Sequence, residues 1–227
     1  MNKKYYTELI NDKPWQYISD HFDNLEKFTP TVITTLDVTP KDWIKFSVDY
    51  FDDAQQTSEY SKDHYSSFSN KLAKTMNDLG RNEYNSFELN YGVNGKTNKI
   101  MCEMLGKENI EKMGLREDYL LLRLLVQWPG NGVAWHMDDA GRYTRFASVF
   151  SDLKIAENKK CQLGEIVRYW FSPTGWQNGH TFQISESVLW NYKAGEVFQI
   201  PFGMGHASSN AGYTLKYSVS VTGILNE

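Results

Sequence analysis

"SVLWNYKAGEVFQIPFGMGHASSNAGYTLKYSVSVTG" (residues 187–223) decides the fold class. Three runs in it, 187–192, 196–201 and 214–223, are rich in β-branched and aromatic residues. They are separated by the turn-formers "KAG", "GMG" and "NAG". Short runs of this composition between glycine turns read as strands. The same rhythm continues upstream, with "YLLLRLLVQW" (119–128) turning at Pro129-Gly130-Asn131-Gly132. "TRFASVF" (144–150), "GEIVRYW" (164–170) and "HTFQIS" (180–185) follow. Many short strands with regular turns predict a sandwich or a barrel-like jelly roll.

The first half has a different texture. "TVITTLDV" (31–38) is one β-branched run and reads as a strand. "TPKDWIKFSVDYFDD" (39–53) reads as a helix, with Thr39 at the cap and Pro40 at the first helical position. Phe68, Leu72, Met76 and Leu79 stand at helical spacing before Gly80, and residues 99–114 read as one or two short helices. The expected fold is mainly β with flanking helices (α+β). Residues 1–118 are expected to be an N-terminal α/β elaboration, with flanking helices, of a double-stranded β core at 119–227, all within one domain.

The 227 residues carry a net charge of −4, with 41% hydrophobic and 15% aromatic residues. A chain of that size buries a sizeable core. Acids and bases are mixed, with no basic face or tail, so nucleic acid is not the expected partner. The longest apolar run is interrupted by Arg123 and is too short to span a bilayer. Cys102 and Cys161 are far apart and form no metal-binding or redox motif. They read as ordinary thiols, and a reduced, cytoplasmic setting is expected.

The chemistry is concentrated in two places. In "WHMDDAGRY" (135–143), His136 and Asp138 are two residues apart at or just beyond a strand. On extended backbone, such residues point to the same side. His206 follows a glycine-bracketed turn, and a jelly roll can return this segment beside His136. Two imidazoles and a carboxylate on one side of a metal are the facial arrangement of non-haem Fe(II) oxygenases. Ten residues past His206 stands Lys216, and Ser218 shares its strand face. A buried cation and a hydroxyl inside a barrel make a carboxylate clamp, because an unpaired buried ammonium is costly. His180 follows a similar glycine turn and is the rival distal ligand, but Trp190 stands ten residues after it in place of a base.

His-x-Asp, a long interval, His206, then a basic residue and Ser resembles the Fe(II)/2-oxoglutarate-dependent dioxygenases. "VQWPGNGVAWHMD" and "YKAGEVFQIPFGMGH" are similar to that family's approaches to its metal. The resemblance spans about residues 119–225. It implies a double-stranded β-helix (jelly-roll, cupin-like) core, Fe(II) on His136, Asp138 and His206, and 2-oxoglutarate held by Lys216 and Ser218. It also implies O2 as co-substrate and hydroxylation of a peptide side chain, an amino acid or a small molecule. The form of the segment around His206 is similar to the prolyl and aspartyl/asparaginyl hydroxylase branches. The family's usual clamp is arginine; here it is lysine, which offers a point charge instead of a fork. Arg123 and Arg145 therefore stay open as alternative carboxylate ligands. A cupin-like metalloenzyme without 2-oxoglutarate, and a non-catalytic jelly-roll binding module, are the other classes compatible with the pattern.

Overall fold

The computed structural model describes residues 28–53, 55–56, 88–91, 95–137, 166–201 and 204–226, with 134–137 placed by backbone and register. In chain order these form β1 (Val32–Thr35), α1 (Pro40–Asp49), β2 (Gln55–Gln56), β3 (Glu88–Tyr91), α2 (Gly95–Leu105) and α3 (Lys107–Lys112). Then come β4 (Leu115–Gln127), β5 (Gly132–Met137), β6 (Ile166–Phe171), β7 (His180–Ile184) and β8 (Ser187–Leu189). β9 (Glu196–Gln199), β10 (Gly205–Asn210) and β11 (Lys216–Leu225) complete them. The expected helix over 66–80, the expected strand over 144–150 and Cys161 lie outside the described residues.

Two antiparallel sheets face each other. One has the order β1-β9-β6-β11-β4-β3-β2, the other β5-β10-β7-β8. From β4 onward the chain crosses between them: β4, β6, β9 and β11 lie in the first, β5, β7, β8 and β10 in the second. That interleaving is the double-stranded β-helix. The N-terminal α/β region contributes β1, β2 and β3, which extend both edges of the larger sheet. Among the described residues no helix is long and apolar enough to cross a membrane.

The larger sheet is buried on both faces, which explains the unbroken apolar run in β4. Leu120, Leu122, Leu124 and Val126 join Tyr217, Val219 and Val221 of β11 under the helices, against Trp43, Phe46, Met101, Leu105 and Ile110. Trp43 meets Phe171 edge-on at 5.8 Å. Each such large side chain, fully buried, contributes ~1.5–3 kcal/mol. Asn98 ties α2 to the part of β4 that β3 does not reach. It accepts from the Leu122 N–H at 2.7 Å and donates to the Leu120 carbonyl at 3.1 Å, doing the work of a missing strand.

The other face lines the barrel, and its residues follow from register. Lys216, Ser218, Ser220 and Thr222 of β11 pair with Gln127, Leu125, Arg123 and Leu121 of β4. Ser220 and Thr222 pair on the other side with Trp170 and Arg168 of β6. Aromatic side chains fill part of this interior. Trp170 stacks on Phe182 at 4.5 Å and meets Tyr192 edge-on at 5.0 Å. Gly179 holds the entry to β7 against the turn before β11. Its φ is +88°, and a Cβ there would lie 2.3 Å from the Gly212 nitrogen.

Candidate metal centre and carboxylate clamp

β10 pairs with β5 so that His206 stands directly opposite His136. Opposed positions on neighbouring strands share a face, with Cβ atoms roughly 4.5–5.5 Å apart. That is a spacing from which two imidazoles can converge on one ion. The register slips between His206 and Ser208, where β5 carries the extra residue. Such bulges re-aim side chains and cluster beside functional sites. Asp138 follows the end of β5 directly and lies outside the described residues. Among the described residues no three His, Cys, Asp or Glu side chains gather to hold a metal. That set includes neither Asp138 nor the side chain of His136.

His206 has the protonation state and the fixed orientation that metal binding requires. It is 3% exposed, and its Nδ1 lies 3.0 Å from the Met204 carbonyl. With Nδ1–H donating there, the lone pair is on Nε2. Burial, then the nearby Arg168 charge, push its pKa down to about 3, against the Met204 hydrogen bond. The imidazole is therefore neutral at pH 7, the form that binds metal. A backbone acceptor on the non-ligating nitrogen fixes tautomer and ring orientation, as is usual for metal-binding histidines.

His180 is displaced from this point. It pairs with Asn210, whereas His206 pairs with Ile184 on the same strand, β7. Four residues of strand separate the two levels, about 13 Å. His180 is buried, with Nε2 3.3 Å from the Thr214 carbonyl.

Lys216 is fully buried at the start of β11. Its Nζ donates to the Thr181 carbonyl at 2.5 Å and to Ser208 Oγ, and lies 5.8 Å over the Phe182 ring. Ser208 Oγ–H donates in turn to Gln127 Oε1 at 2.7 Å. Ser208 is two residues from His206 on β10, so the ammonium is anchored about 7 Å of strand rise from the His206 level. Ser218 is also buried, and its hydroxyl has no hydrogen-bond partner among the described residues. An unsatisfied buried hydroxyl costs about 1–3 kcal/mol, so a ligand acceptor would stabilise it. Arg123 is half-buried on β4, opposite Ser220. Arg145 lies outside the described residues.

Sequence reasoning did not single out Arg168, Gln127 or Ser208. Arg168 stands at the alternate, barrel-facing position of "IVRYWF", one register step across β11 from the row of Arg123. An arginine alternating with apolar residues inside a strand was the available signal. Burial, then the neighbouring Arg123, lower its pKa to about 9.

No family model and no curated protein sequence matches the chain. Among solved structures, a predicted oxalate decarboxylase from Thermotoga maritima is 16% identical over 53% of this chain and 76% of its own, with a TM-score of 0.30. A protein with a double-stranded β-helix domain from Klebsiella pneumoniae is 16% identical over 48% of this chain and 70% of its own, at 0.30. A cupin domain from Bordetella pertussis is 12% identical over 48% of this chain and 83% of its own, at 0.29. At TM-scores this low the likenesses carry no argument, and the fold rests on the strand order described above.

Proposed function

We propose that the chain is a non-haem Fe(II)/2-oxoglutarate-dependent oxygenase that hydroxylates a peptide or amino-acid side chain or a small molecule. The observation that carries the reading is the cross-strand pairing of His206 with His136 inside a double-stranded β-helix. His136, Asp138 and His206 would hold the metal. Lys216 and Ser218 would hold the far carboxylate of 2-oxoglutarate, with Arg123 and Arg145 as the alternatives. Bound together with O2, these groups supply the oxidising power for C–H hydroxylation while 2-oxoglutarate becomes succinate and CO2.

The residues present fit this assignment. His206 is neutral and oriented by Met204. The Ser218 hydroxyl is buried and lacks an acceptor or donor among the described residues. Lys216 brings a cation into the buried interior, where its attraction for a carboxylate is weakly screened. The Phe182 ring, packed with Trp170 and Tyr192, lies 5.8 Å from its Nζ.

One observation favours the reading without 2-oxoglutarate: Lys216 already donates to Thr181 and Ser208, as a purely structural lysine would. Anaerobic titration separates the two. Fe(II) followed by 2-oxoglutarate should produce the weak visible charge-transfer band of a chelated 2-oxo acid. Fe(II) binding with no such band would favour a cupin-like metalloenzyme of another type.

A further inference from the structure

The barrel interior is cationic at two levels, and the clamp uses only one. Lys216 is tied to Ser208 at the start of β11. Arg123 and Arg168 flank the same strand further along, opposite Ser220 and Thr222 respectively. Four to six residues of strand separate these rows from Lys216, about 13–20 Å. The two guanidiniums act on each other, and Arg168 also acts on His206. Trp170 of the same face stacks on Phe182, whose ring lies 6.0 Å from that of His206, so these rows border the proposed metal site at positions of the sheet other than that of Lys216.

A third donor shares the row of Arg123. Trp170 faces Ser220 across the sheet and is 2% exposed, and its indole N–H has no hydrogen-bond partner among the described residues. The Tyr192 hydroxyl against its ring is likewise buried without a partner among them. An indole nitrogen only donates, and a guanidinium carries five N–H donors and no acceptor. Two guanidiniums can thus take up an oxyanion bidentately while keeping other contacts. The complement of this set is a ligand that only accepts.

We propose that Arg123, Arg168 and the Trp170 indole N–H form a subsite for the carboxylate of a small-molecule substrate. This extends the oxygenase reading in the form that has Lys216 as the 2-oxoglutarate clamp, and rests on it in calling the ligand the substrate. Trp170 is buried and Arg168 half-buried within the barrel, which restricts the ligand to one that can enter it. The aromatic rings of Trp170, Phe182 and Tyr192 offer its carbon skeleton an apolar wall.

The test uses the full chain without iron or 2-oxoglutarate, so its failure and the failure of the oxygenase reading are distinguishable. Saturation-transfer NMR is recorded with benzoate and propionate, each against its amide, and with inorganic phosphate as competitor. The carboxylates should bind and the amides should not. Affinity should fall at least about tenfold in R168Q and in R123Q, consistent with loss of a charge-assisted pair, and should survive in K216M. R168K, which retains the charge and removes the fork, is the control for a variant that fails to fold and should also weaken binding. Equal binding of acids and amides, binding of neither acid, or dependence on Lys216 instead of the arginines would overturn the proposal. Displacement of benzoate by phosphate at lower concentration would overturn the choice of a carboxylate.

Discussion

Replacing Lys216 with Met separates a ligand clamp from a structural lysine. The side chain is 0% exposed, and its Nζ donates to the Thr181 carbonyl and Ser208 Oγ. Hydrogen bonds to a charged group contribute about 1.5–3 kcal/mol each. Against them stands the desolvation of the ammonium, several kcal/mol for a buried ion. Met has similar length and no charge, and Ser208 keeps its bond to Gln127. The opposing terms leave a stability change within about 2 kcal/mol of zero, or roughly 4–8 °C in Tm for a chain this size. Loss of a buried charged partner for a carboxylate costs about 2–4 kcal/mol, roughly 30- to 900-fold in affinity. Thermal unfolding of the metal-free protein and anaerobic 2-oxoglutarate titration of the Fe(II) form read the two quantities separately. The account expects a modest Tm change and a large loss of 2-oxoglutarate affinity. A lowered Tm with unchanged affinity would refute it and move the clamp to an arginine.

Three further outcomes follow from the fold. Asn98→Ala strips partners from the Leu122 N–H and Leu120 carbonyl, which should cost about 2–5 kcal/mol and show in denaturant unfolding. A change below about 0.5 kcal/mol would mean that water or β3 satisfies them. Gly179→Ala should destabilise strongly, because strain at positive φ adds to a collision with the Gly212 backbone; unchanged Tm would contradict the close approach. Burial, the largest cause, lowers the His180 pKa from its usual value, with Thr214 opposing and Lys216 reinforcing the shift. The unfolded chain then binds the proton first, so this contribution is present above about pH 6.5 and lost as pH falls below it. The decline in stability from pH 7 to 5 should be shallower in His180→Gln, and an equal decline would assign it to other groups.

The strands most legible in the sequence were those facing an apolar core. β11 announces itself through Tyr217, Val219 and Val221, and the alternation also fixes Lys216 and Ser218 on the barrel face. β10 is "GHASSN", with no β-branched or aromatic residue. It is a strand because β5 and β7 satisfy its backbone on both sides, and propensity could not reveal that. β1 was legible in the β-branched run 31–38, whereas β2 and β3 were obscured for a related reason, being short edge pieces with little apolar patterning of their own. The spacing to Lys216 favours His206 over His180. Its opposition to His136 was not legible, since register depends on both strands and on the bulge between them.

The central claim is that His136 and His206 hold one metal together. Anaerobic Fe(II) titration of the wild type, His136→Ala and His206→Ala, with circular dichroism confirming the fold of each, tests it most directly. The account predicts one ion per chain in the wild type. It predicts an affinity loss in each variant at least as large as the ~10–100-fold that follows loss of a ligand's outer hydrogen-bond partner. Undiminished Fe(II) binding in either variant would contradict the claim and remove that histidine from the site.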